Sequence, residues 1–272
     1  MKRLPLGIQS FKKIIEGDYV YADKTRFIYD LINGASYYFL SRPRRFGKSL
    51  LLDTISEAFS GDKELFKGLW IYDSDYAFPK HPVIRLDMSS ISNKTPEVME
   101  KDIMLTLRGK IRDEGFDIAD GSPANMFMQL IEHLHRKYNQ RVVVLIDEYD
   151  KPMLDHINDI PTADGNRQAL RGFYGILKSM DPHLRFTFIT GVTKFTKTSI
   201  FSGLNNLRDI TMMEKYANIC GVTTQDLGTY FSDHMEYISN LEDFSHFESV
   251  HDEILKWYDG YSWDGKTRVI NP

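Results

Sequence analysis

Residues Val142-Val143-Val144-Leu145-Ile146 form an unbroken run of β-branched and aliphatic side chains. A strand with one wet face would alternate apolar and polar positions. This run has no polar face, so both of its faces need a cover, and a parallel sheet with helices on each side supplies it. The run is far too short to cross a bilayer as a helix, which takes about 20 residues.

The flanking sequence fits a layered α/β arrangement. Ser36-Tyr37-Tyr38-Phe39-Leu40 reads as a short buried strand, and His81 to Asp87 as another that starts near Pro82. Arg185 to Thr190 reads as a further strand. Helical spacing follows Ser49, with Leu51, Leu52, Ile55, Ala58 and Phe59 on one broad face and Gly61 as a stop. Helices are also expected over 96–114, with Val98, Ile103, Leu105 and Leu107 inward, and over 123–138. A third is expected from a cap at Asp164 to about Met180, with Leu170, Tyr174, Leu177 and Met180 inward. Strands and helices alternate, which predicts a mostly parallel sheet with right-handed crossovers. The expected division is a core over 1–203 and a smaller helical lid over 204–272.

Composition narrows the chemistry. The formal net charge of −4 gives no overall field that attracts nucleic acid. Cys220 is the single cysteine, so a disulfide within the chain and a multi-cysteine zinc site are both excluded. The Ile219-Cys220 setting predicts a small core residue. Met1 to Gly7 lacks the apolar stretch of a signal peptide, so a cytoplasmic protein with no membrane segment is expected.

The first candidate site is Arg42-Pro43-Arg44-Arg45-Phe46-Gly47-Lys48-Ser49, between a predicted strand and a predicted helix. Its last three positions match the phosphate loop G-x-x-x-x-G-K-[ST], and Arg42 stands where that pattern has glycine. Gly47 would let backbone approach a phosphate, and the amides from Lys48 to Leu50 would face its oxygens at the positive end of a helix. Lys48 would supply charge to the β- and γ-phosphates, and Ser49 Oγ would ligate Mg²⁺. Arg42, Arg44 and Arg45 have the fork geometry that suits phosphate oxygens. A surface turn with a solvated basic run competes with this interpretation.

The second candidate site is the acidic end of the apolar run, Asp147-Glu148. Open α/β sheets bind ligands at the carboxyl ends of their strands. Asp147 would hold Mg²⁺ opposite Ser49, and Glu148 would act as general base toward a water. Ordinary loop carboxylates are the competing interpretation. Thr190 and Thr193, at the end of a third strand, are candidates to touch the γ-phosphate or the water. Arg171 and Arg208 are candidate charge-stabilising arginines, with surface roles as the alternative.

Tyr37 to Ser49 closely resembles the signature of the bacterial AAA-ATPase-like family. Tyr21 to Thr25, Pro82 to Asp87, Leu145 to Asp150, Thr190 to Phe195 and Trp257 to Tyr261 resemble that family too. The resemblance covers nearly the whole chain. It implies an AAA+-like P-loop domain with a helical lid, and it makes Arg42 typical of the family. It places Tyr21, Asp23 and Lys24 near an adenine, with a helix cap and a solvated lysine as the alternative. It also implies a nuclease domain of the PD-(D/E)XK type in many longer relatives, for which these residues carry no convincing constellation.

Three functions are expected in order: an ATP-hydrolysing switch that uses ATP, ADP and Mg²⁺, a non-hydrolysing nucleotide-binding regulator, and a nucleic-acid-binding protein. Nucleic-acid contact through an attached nuclease domain and assembly into homo-oligomers are further expectations of the resemblance.

Overall fold

In a computed structural model, the chain is described over residues 1–119, 121–193, 200–201, 204–241, 249–258 and 260–272. Lys194 and Phe195 of the resemblance motif, and Asp259, lie outside the described residues.

The main sheet has five strands, all parallel: β1 (Tyr37–Ser41), β2 (Val83–Asp87), β3 (Val142–Asp147), β4 (Leu184–Gly191) and β5 (Arg208–Asp209). Their order across the sheet is β2-β3-β4-β1-β5, so β4 is inserted between β1 and β3. Register aligns the carboxyl ends, pairing Ser41 with Gly191 and Asp87 with Asp147.

Alternation along the strands divides the core into two halves. Tyr37, Phe39, Val142, Val144 and Ile146 pack with α4 (Pro96–Asp113), α5 (Pro123–Tyr138) and α7 (Ile160–Ser179), which the short α6 (Lys151–Leu154) precedes. Tyr38, Leu40, Val143, Leu145, Phe186 and Phe188 pack with α1 (Phe11–Glu16), α2 (Thr25–Ile32) and α3 (Lys48–Ala58). All six residues of β3 are buried, as its lack of a polar face predicts.

Two helix details differ from expectation. In α4 the inward ridge is Met99, Ile103, Leu107 and Ile111, at a strict spacing of four, while Val98 and Leu105 are exposed. For α7 the cap is Asp159, whose carboxylate accepts from Thr162 N, and Pro161 occupies the first turn. Asp164 instead accepts from Arg167 on the helix surface. The expected inward face of α7, Leu170, Tyr174, Leu177 and Met180, is buried.

The edge strand β5 lies beyond residue 203, so the sheet draws on residues C-terminal to the expected division. Helices follow as α8 (Thr224–Tyr230), α9 (Ser232–Ser239) and α10 (Val250–Tyr258), and then an antiparallel hairpin of β6 (Tyr261–Ser262) and β7 (Arg268–Val269). No helix among the described residues is long and apolar enough to cross a membrane.

Candidate nucleotide site

The loop from Arg42 to Gly47 joins β1 to α3 at the carboxyl edge of the sheet. Gly47 adopts φ 87° and precedes the first turn of α3, and a Cβ there would meet no atom within 4 Å. Gly47 therefore leaves open space at the N-terminus of an 11-residue helix, where free amides and the helix dipole favour an anion. Arg45 also adopts a left-handed conformation, φ 68°. Arg44, Arg45 and Gly47 are exposed, while Lys48 is buried and donates from Nζ to the Pro43 carbonyl at 3.1 Å. Leu50 is half-buried, and its carbonyl accepts from the Thr54 hydroxyl.

The two sequence sites converge. Ser49 Oγ donates to Asp147 Oδ2 at 2.5 Å, across 98 residues of chain. Thr190 Oγ donates to Asp147 Oδ1, and Glu148 N donates to the same oxygen at 3.1 Å. Asp147 is buried, and these partners are all neutral donors. A buried carboxylate with only neutral donors is costly on its own. The oxygens gathered here, those of the Asp147 carboxylate and the Ser49 hydroxyl, suit a hard divalent cation that completes its shell with phosphate and water. Among the described residues no group of three or more His, Cys, Asp or Glu could hold a metal.

Glu148 follows at φ 49°, half-buried. Burial raises its carboxyl above the ordinary glutamate value; Lys48 and Arg44 pull it down, while Asp147 and Asp87 push it up. Such a carboxylate is a stronger base than a free one.

Other expected site residues sit elsewhere. Arg42 is fully buried and points away from the loop's open side: Nη1 donates to the carbonyls of Ser41 (2.8 Å) and Thr211 (2.9 Å), and Nη2 to that of Tyr216 (3.1 Å). The phosphate contact expected of its side chain is replaced by these backbone contacts. Burial lowers its pKa to about 10, which still leaves it charged at neutral pH. Thr193 Oγ donates to Asp150 Oδ2 at 2.7 Å, so its hydroxyl is engaged in the turn after β4. Asp23 accepts from Thr25 N and from Trp70 N, which makes it a local brace for α2. Lys24 is buried, not solvated, and its ammonium meets Asp226 of α8 at 2.6 Å. Tyr21 lies near Thr54, its hydroxyl 3.4 Å from the threonine's. Arg171 and Arg208 are both exposed.

Asp150, three residues after Asp147, is fully buried. It accepts from Val192 N (3.0 Å), Thr193 N (2.7 Å) and the Thr193 hydroxyl, and so fixes the turn that follows Thr190. The only sequence signal for this role is the pairing of an acid just after one strand with a Gly-Val-Thr turn after another.

A family model described as "AAA-ATPase_like: Predicted AAA-ATPase" matches residues 5–201, well over half of the chain. The chain belongs to the AAA-ATPase-like family. Its P-loop fold and the pairing of Ser49 with Asp147 agree with that membership. This AAA-ATPase-like chain is also 42% identical over 274 residues to an "Uncharacterized protein in vnfD 5'region" of Azotobacter chroococcum mcd 1. That match covers 100% of the chain and 50% of the relative, so the chain spans about half the relative's length. Among solved structures it is similar to the Aeropyrum pernix ORC2 protein in ADPNP-ADP complexes, with TM-score 0.43, 12% identity, and 82% of this chain and 55% of that chain covered. It is also similar to a Drosophila ORC bound to GC-rich DNA and Cdc6, with TM-score 0.39, 11% identity, and 91% and 36% covered. Likeness at that level is too low to carry site residues or partners across.

Proposed function

We propose that this AAA-ATPase-like domain binds ATP with Mg²⁺ between α3 and the end of β3, hydrolyses it, and changes shape with the nucleotide. One contact supports this above all: Ser49 Oγ against Asp147 Oδ2 at 2.5 Å, which brings the phosphate loop to the acidic strand end. Ser49 and Asp147 are the residues that would hold the metal. When bound, Mg²⁺ neutralises charge on the phosphate oxygens.

The remaining work falls to the chain's own groups. The amides at the start of α3 bind phosphate oxygens, and Gly47 keeps their approach clear. Lys48 leaves the Pro43 carbonyl and moves its ammonium to the phosphates. Glu148, made more basic by burial, accepts the proton of the attacking water. Thr190, held by Asp147, keeps that carboxylate in one rotamer. The switch is supported by the Lys24–Asp226 ion pair, which ties the segment before α2 to α8.

Nucleotide binding and phosphate release, measured separately, test the proposal. Lys48→Ala is expected to weaken binding of a fluorescent ATP analogue by at least tenfold, about 1.4 kcal/mol. Glu148→Gln is expected to bind ATP normally and to release phosphate about 100-fold more slowly. Binding by Lys48→Ala equal to the parent refutes the site. ATP binding by the parent with no phosphate release at any Mg²⁺ concentration identifies a regulatory binding module instead.

A further inference from the structure

The first residue of the phosphate loop and its fifth are gripped from the same side. Trp263, in the turn of the β6–β7 hairpin, lies with its ring centre 4.4 Å from the Arg42 guanidinium carbon. The Phe46 ring is 5.8 Å from that of Trp263 and 4.8 Å from that of Tyr261, both edge to face. Phe46 is buried, and its carbonyl accepts from Gly221 N at 3.2 Å. Gly221 has φ +86°, and a Cβ there would meet the Ile270 carbonyl at 3.1 Å and Phe46 at 3.3 Å. Val222 and Ile270 exchange backbone hydrogen bonds, which anchors the end of the hairpin to this point. Asp264 closes the turn by accepting from Lys266 N, Thr267 N and the Thr267 hydroxyl. Between the two gripped residues, Arg44 and Arg45 are exposed, and Gly47 beyond them faces open space. The hairpin lies outside residues 5–201 that the family model matches.

We infer that Arg42, Phe46 and Trp263 are positioning residues that lock the phosphate loop to the C-terminal hairpin, so that nucleotide occupancy and hairpin position change together. Arg42 acts through backbone carbonyls and an indole face, away from the phosphates. Its fork reaches the carbonyls of Ser41, Thr211 and Tyr216, a geometry that a lysine ammonium does not reproduce. Packed contacts of this kind shift between discrete arrangements rather than stretch. The inference rests on the phosphate loop being the nucleotide site.

The test uses the full chain with Trp70→Phe and Trp257→Phe, which leaves Trp263 as the reporting indole. Binding of a fluorescent ADP analogue is followed by anisotropy, and binding of unlabelled Mg-ATP by Trp263 emission. The expected result is an emission change that saturates at the affinity measured by competition, and that Lys48→Ala abolishes. Trp263→Phe keeps affinity within about threefold, and Trp263→Leu weakens it about tenfold with a native far-UV spectrum. Arg42→Lys weakens it by a similar factor, because an ammonium does not reach the carbonyls of Ser41, Thr211 and Tyr216 together. Where Arg42→Lys fails to fold, the Trp263 arms decide. Nucleotide bound by anisotropy with no change in Trp263 emission overturns the coupling and leaves the site intact. No nucleotide bound at all removes the site and the coupling with it.

Discussion

Asp150 offers a graded test of what holds the end of β4 in place. The carboxylate is fully buried. Oδ2 takes the amides of Val192 (3.0 Å) and Thr193 (2.7 Å) and the Thr193 hydroxyl (2.7 Å), and Oδ1 lies 3.2 Å from the Val192 amide. Asp150→Ala leaves two half-buried N–H groups and one hydroxyl without their acceptor and opens a small void. Each lost bond to a charged acceptor counts for roughly 1.5–3 kcal/mol, and because they share one acceptor the sum is about 3–5 kcal/mol. Asp150→Asn can keep its oxygen at the Oδ2 position and loses charge more than geometry, so about 1–2 kcal/mol is expected. Thr193→Val removes the hydroxyl alone and should cost about 1 kcal/mol. Urea unfolding of the three variants and of Asp150→Ala with Thr193→Val measures the series. In the double variant the threonine has no carboxylate left to lose, so a coupling of about 1 kcal/mol is expected. Additive effects, or an alanine variant within about 0.5 kcal/mol of the parent, would show that the turn does not depend on Asp150.

The other predictions concern charges held at particular burial. Glu148 titrates higher when folded than unfolded, so its ionisation opposes folding as pH rises past the ordinary glutamate range of about 4.3. Glu148→Gln should therefore unfold at a higher temperature than the parent at pH 7 and show no such gain below pH of about 4; equal melting at pH 7 contradicts the assignment. Burial pushes the Cys220 thiol up to about 11, against the pull of Arg42, Lys48 and Lys24. A thiol-directed reagent at pH 8 should leave the native chain unlabelled and modify it on unfolding, and full labelling of the native chain would disprove the burial. Lys24→Met strands Asp226 with its side chain 14% exposed and should cost about 2–4 kcal/mol in urea unfolding, part of it recovered by adding Asp226→Asn. No recovery would assign the loss to packing of the lysine stem.

The features legible in the sequence are those written over a few consecutive residues. The β3 run announces burial on both faces because five neighbours repeat the signal, and Gly47-Lys48-Ser49 and Asp147-Glu148 each sit beside the strand that gives them meaning. The expectations that differed depend on partners remote in the chain. Arg42 reads as a third phosphate-facing arginine, and two of its three acceptors are carbonyls 169 and 174 residues away. Lys24 looked solvated or adenine-facing, and its partner lies 202 residues on. Strand β5 has only two residues, Arg208 and Asp209, and no apolar pattern to mark it; its place comes from pairing with Tyr38 and Phe39. In α4, Val98 and Leu105 are apolar but lie off the four-residue ridge that the sheet selects.

The acidic residues at the sheet edge show why composition alone could not divide their roles. Asp87, Asp147, Glu148 and Asp150 carry the same functional group within one neighbourhood. Asp87 is exposed and caps a turn through Ser89 N, so water and one amide satisfy it. Asp147 is buried against two hydroxyls and one main-chain amide, and its hydroxyl donors are groups that can turn toward a ligand. Glu148 is half-buried beside two other acids, which keeps its proton affinity high without making it inaccessible. Asp150 is buried against backbone amides, which cannot leave without breaking the turn. A carboxylate held mostly by side-chain hydroxyls can release them to a ligand; one held mostly by main-chain amides is committed to the fold. On the proposed function Asp147 would hold the metal and Glu148 would serve the water, while Asp150 holds the turn that follows Thr190.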